Sequence, residues 1–141
     1  MNPDAKNQQG IKVTQEFHAA TKNWISSLQF IEDELRFIEN LMCSYVFEPD
    51  TPNLFERLQD YKERVQKIGI RMKEIAEALL DHENELSGLL ESRKEGIDDG
   101  YASRHGEFQA AYLLFQQDFQ WLKSEIFNYA GGILRKRRPD C

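Results

Sequence analysis

The chain has 141 residues, 40% hydrophobic and 30% charged, the size of one domain with a buried core. Its net charge of −6, from 18 basic and 24 acidic side chains, argues against a general nucleic-acid binder, which presents a basic face. No run of about 18 apolar residues is present to span a membrane, no apolar signal core follows Met1, and two cysteines cannot build a disulfide framework; a cytoplasmic protein is expected.

Residues 1–12 are rich in Asn, Gln, Asp, Lys and Gly without periodicity, and a disordered tail is expected there. A first helix is predicted over 14–47. Thr14 is its N-cap candidate, Glu16 favours its dipole, and Pro49 disfavours helical geometry at Glu48. Its apolar positions keep 3-4 spacing: Phe17, Trp24, Ile31, Ile38 and Tyr45 recur every seven residues, interleaved with Thr21, Leu28, Leu35 and Met42.

Asp50-Thr51-Pro52 reads as a turn into a second helix over 52–95, with Thr51 as N-cap, Pro52 at the first helical position and Gly96 as stop. Its seam carries Leu54, Tyr61, Ile68, Ile75, His82 and Leu89, with Leu58, Val65, Met72, Leu79 and Leu86 between them. Gly69 and Gly88 weaken it by roughly 1 kcal/mol each relative to Ala. After Ile97-Asp98-Asp99-Gly100, a third helix is predicted over 101–134, with a seam of His105, Phe108, Tyr112, Phe115, Phe119, Leu122, Ile126, Tyr129 and Ile133.

No segment alternates with period two, so the expected fold is all-α. Short connections make neighbouring helices antiparallel, which gives an up-down-up three-helix bundle of long, coiled-coil-like helices. In shape alone this architecture resembles a spectrin-type repeat; no motif assigns the chain to that family.

Helices 1 and 3 carry more large apolar residues than a seam uses. Phe30, Phe37 and Leu41 lie off the first seam; Leu114 and Trp121 lie off the third, with Leu113, Phe127 and Leu134 on an adjoining line. Exposing such side chains forfeits roughly 1.5–3 kcal/mol each, and contiguous patches of them mark interfaces. The expected interface is Phe30, Phe37, Leu41, Leu114, Trp121 and Phe127, one surface through which helices 1 and 3 dimerise into a larger helical bundle. The alternative is a wide core that swallows them. At the Ile97–Gly100 end, helices 2 and 3 are expected to run past the start of helix 1, leaving Leu86, Leu89, Leu90 and Phe108 to Ile11, Val13 or a second subunit.

Little in the chain suggests chemistry. His18, His82 and His105 fall in one half of the bundle, but counting from the Ile97–Gly100 turn puts His82 opposite Tyr112 and His105 roughly 12 Å away. That spacing cannot converge on one ion, and no Glu-x-x-His or His-Glu-x-x-His motif is present, so neither metal nor cofactor is expected. Thr21, His82 and Tyr112 are instead expected to form a polar layer that sets the register of the seam. Cys43, at the dipole-negative end of its helix, is a poor nucleophile, and Cys141 is terminal. Arg135, Lys136, Arg137 and Arg138 form a basic tail; setting them aside leaves 14 basic against 24 acidic side chains. The tail could contact nucleic acid, anionic lipid or an acidic protein, or stabilise a helix C-terminus. The expected function is a non-enzymatic interaction or scaffold module, a homodimer. The alternatives are a nucleic-acid-associated or regulatory protein using the tail, and a metal- or small-ligand-binding bundle around His82 and Tyr112.

Overall fold

A computed structural model describes the backbone of residues 3–47, 54–91 and 99–136, and the side chains of 15–47, 54–88 and 100–136. Within these residues the protein is all-helical, without strands: α1 (Pro3–Met42), a 3-10 turn (Tyr45–Phe47), α2 (Leu54–Glu91) and α3 (Asp99–Lys136). The helices pack through their seams as a helical bundle. Ile31, Leu35, Ile38, Val65, Leu79, Leu86, Phe115, Phe119 and Ile126 are all buried, as the 3-4 spacing requires. No helix among the described residues is long and apolar enough to cross a membrane.

The element ends differ from the sequence expectations. α1 starts at Pro3, so residues 3–12 belong to the helix and not to a tail. Pro3 stands at the first helical position, where the fixed φ of proline suits a helix and its missing N–H costs nothing. At its other end α1 stops at Met42, five residues short of Phe47. The Ser44 hydroxyl donates to the Leu41 carbonyl at 2.6 Å and accepts from the Val46 N–H at 3.3 Å, while the Phe47 N–H donates to the Ser44 carbonyl at 3.2 Å. A serine that bonds its own backbone competes with helix propagation. The tighter turn rotates the chain: Val46 and Phe47 become buried, and Tyr45, expected in the seam, is exposed. α3 continues through Arg135 and Lys136, so these two are helical and not a separate tail. The predicted caps at Thr51 and Pro52, the stop at Gly96, the packing around Leu89, Leu90, Ile11 and Val13, and Arg137, Arg138 and Cys141 lie outside the described residues. Cys43 is exposed, with a free thiol.

The chain divides into two compact units, Met1–Gln29 with Lys73–Leu113 and Phe30–Met72 with Leu114–Cys141. Unit 1 is rich in stacked rings. Phe17 and Trp24 of α1 lie over His105 of α3, with centroids 4.0 and 4.9 Å apart, and Trp24 also stacks on Tyr112 at 5.8 Å. Arg104 pairs with Glu85 at its surface.

Unit 2 is held by an apolar core flanked by ion pairs. Arg57, Arg64 and Arg71 recur every seven residues on the side of α2 that meets α3. Arg64 pairs with Glu125 at 2.9 Å and Arg71 with Asp118 at 2.8 Å. The bond from Arg64 holds the Glu125 carboxyl below its ordinary value. Their guanidinium groups also cover rings: Arg57 lies 5.2 Å from the centroid of Tyr129, and Arg71 5.6 Å from that of Phe115. On the other flank of α3, the Lys123 ammonium donates to the Glu34 carboxylate of α1 at 2.6 Å.

Candidate functional site

Two features stand out, one in each unit. In unit 2 the off-seam apolar residues are solvent-facing. Phe30 is 65% exposed, Phe37 59% and Trp121 64%; Leu114, Phe127 and Leu134 are exposed and Leu41 is half-buried. A wide core does not swallow them.

They do not, however, share one surface. Phe37 meets Phe127 edge to face, with centroids 6.2 Å apart at 74°. Successive helical residues turn about 100°, which puts Phe30, Phe37 and Leu41 on the α3-facing flank of α1 and Phe127 and Leu134 on the α1-facing flank of α3. Trp121 is turned about 120° from Phe127, with exposed Gln117, Ser124 and Asn128 between them. It borders an open cleft of about 260 Å³ between α2 and α3, with Arg64, Lys67, Ile68, Arg71 and Asp118. Leu114 is seven residues before Trp121 and on the same line. The single expected surface is therefore two flanks of α3. The first is lined by Phe30, Phe37, Leu41, Phe127 and Leu134, and the second by Leu114 and Trp121. Spacing along one helix could not separate them, because which neighbour each flank faces depends on packing.

In unit 1 the expected polar layer of Thr21, His82 and Tyr112 is replaced by a histidine pair. His82 is 2% exposed and His105 6%, and His82 Nε2 lies 3.0 Å from His105 Nδ1, a hydrogen bond. The expected separation of roughly 12 Å was counted from the Ile97–Gly100 turn; the levels of α2 and α3 are displaced by about two helical turns from that count. Thr21 does not reach the histidines. Its hydroxyl donates to the Phe17 carbonyl one turn back, at 2.9 Å. Tyr112 stacks on Trp24. His18, outside the pair, has Nδ1 2.7 Å from a Glu83 carboxylate oxygen, close enough for an ion pair but out of line for a hydrogen bond.

The pair is enclosed by rings. Tyr101 stacks on His82 at 4.4 Å, Phe108 tilts against it at 4.7 Å, and Phe17 lies flat on His105. His82 Nδ1 is buried without a hydrogen-bond partner. Burial pushes both imidazoles below the ordinary 6.5. For His82, Glu85 and Glu83 oppose that shift and Arg104 adds to it; for His105, the neighbouring His82 adds to it. Burial likewise raises the Tyr101 phenol. Sequence reasoning missed Tyr101 as a wall of this site. The signal was present, since Tyr101, His105 and Phe108 extend the third seam backward at 4-3 spacing.

Among the described residues no group of three or more His, Cys, Asp and Glu side chains is arranged to hold a metal ion. Arg135 and Lys136 occupy the last turn of α3, where cations favour the helix. No family model, curated protein or solved structure matches this chain.

Proposed function

We propose that the protein is a non-enzymatic helical interaction module that acts as a homodimer in the cytoplasm, with its partner surface on the α1–α3 flank of unit 2. One observation carries this reading: Phe30, Phe37 and Phe127 are exposed together on a flank where Phe37 and Phe127 already touch. Covering several such side chains is worth roughly 1.5–3 kcal/mol each, and a second copy offers the same complementary patch through two-fold symmetry.

The surface rests on an up-down-up order of long, coiled-coil-like helices. Contacts within each unit support that order. From α1 to α3 the partners rise together, Phe17 with Tyr101 and Trp24 with Tyr112 in unit 1, Glu34 with Lys123 and Phe37 with Phe127 in unit 2. From α2 to α3 they run in opposite senses, as with Arg64–Glu125 and Arg71–Asp118.

Light scattering on the purified chain tests the reading. The expected mass is twice 16.6 kDa at micromolar concentration. Phe37→Asp with Phe127→Asp should return it to the monomer, while Trp121→Ala, on the other flank, should leave the dimer in place. A parent protein that stays monomeric at high micromolar concentration would overturn the proposal.

A further inference from the structure

We propose that the His82–His105 pair makes unit 1 acid-sensitive, so that mild acid loosens the packing of α1, α2 and α3 there while unit 2 keeps its structure. The inference is independent of the dimer reading and rests on the geometry of the pair.

Two imidazoles with nitrogens 3.0 Å apart can share one hydrogen only while at least one facing nitrogen is bare. With both rings neutral, the bond that suits the site runs from His82 Nε2–H to His105 Nδ1. It leaves His82 Nδ1 as a bare lone pair, which is less costly to bury unpartnered than an N–H. The first added proton has two destinations. At His82 Nδ1 it creates a buried cation whose new N–H has no acceptor. At His105 it can enter only at the accepting Nδ1, which removes the acceptor of the bond and charges the buried ring that lies flat against Phe17. A second proton puts two cations side by side and leaves no acceptor between them.

The surroundings offer limited relief. From α2, Glu83 and Glu85 face the pair, but Glu83 lies against His18 of α1 and Glu85 is engaged by Arg104 of α3. Arg104 itself opposes a further positive charge. Tyr101 of α3 stays neutral, and Glu16 and Lys22 of α1 are exposed. The rings of Phe17, Trp24 and Phe108, which also pack against the pair, carry no charge.

The direction of the pH dependence follows. Well above 6.5 both rings are neutral whether unit 1 is packed or open, and pH has no effect through them. Below 6.5 the open chain takes up protons that the packed rings refuse, and packing weakens until the pH reaches the lowered values of the folded rings. Each refused proton changes the opening equilibrium up to about tenfold per pH unit, so two give up to about a hundredfold. Unit 2 contains no histidine among its residues and lacks this response.

Two measurements on the full chain test this. The first is amide hydrogen exchange between pH 7.5 and 5, corrected for the intrinsic pH dependence of exchange. Protection in 15–29, 73–88 and 100–113 should fall at least about tenfold, and protection in 30–47, 54–72 and 114–136 should stay level. The second uses Trp121→Phe, which leaves Trp24, stacked on His105, as the sole tryptophan. Its emission should move to longer wavelength over the same interval. In His82→Gln with His105→Gln, where the polar contact can persist but cannot titrate, both responses should vanish. Constant protection in unit 1, an equal fall in both units, or the same transition in the double glutamine variant would overturn the proposal. If that variant does not fold, the comparison of the two units in the parent chain decides alone.

Discussion

Each histidine of the buried pair satisfies the other, so the two cannot be judged singly. His82→Leu removes the donor facing His105 Nδ1 and leaves a buried imidazole nitrogen unsatisfied, a loss of about 1–3 kcal/mol at neutral pH. Replacing both with leucine removes the polar pair altogether and is expected to restore stability to within about 1 kcal/mol of the parent. Urea unfolding of the parent, both single variants and the double variant closes the cycle, and additive losses would contradict the coupling. Thr21 behaves differently. Its hydroxyl bonds only a carbonyl of its own helix, and Thr21→Val keeps the volume; the expected change in urea midpoint is under about 1 kcal/mol in stability. Both residues could be placed in the seam from the sequence. Which polar groups meet could not, because that depends on the level at which two helices pass.

Among the elements, α2 carries two glycines in its interior, Gly69 and Gly88, where glycine weakens a helix. A Cβ at either position would meet no neighbouring atom within 4 Å. Neither glycine serves a close approach, so Gly69→Ala and Gly88→Ala should each stabilise the protein by about 0.5–1 kcal/mol, read as a rise in melting temperature. The limits of α1 illustrate how far periodicity reaches. The apolar pattern falters before Val13 and continues to Tyr45, yet the helix begins at Pro3 and ends at Met42. Periodicity reports where a helix buries a face, not where its backbone bonds start or stop; those ends follow from proline and serine chemistry. The arginine column of α2 is a second example. Arg57, Arg64 and Arg71, and opposite them Asp118 and Glu125, each repeat every seven residues, but they identify partners only once α2 and α3 are aligned.

For the molecule as a whole, the two units divide the distinctive side chains between them. All three histidines and the enclosing rings belong to unit 1, and Phe30, Phe37, Phe127 and Trp121 to unit 2. If the α1–α3 flank of unit 2 is the dimer contact, the melting temperature should rise with protein concentration, and it should become concentration-independent in the Phe37→Asp, Phe127→Asp variant. A concentration-independent parent would count against the dimer. By itself the sequence determined that the chain is helical, which face of each helix is buried, and which large side chains are surplus to that face. Local spacing and side-chain size decide those matters. The level at which the helices meet, and the neighbour that each flank of α3 faces, were decided only in the tertiary structure. A heptad seam repeats itself, so sliding one helix past another by seven residues still sets apolar against apolar. The features that break this degeneracy are those that do not repeat, the buried histidine pair and the stacked rings around His105, and each exists only when residues far apart in the chain are brought to the same level.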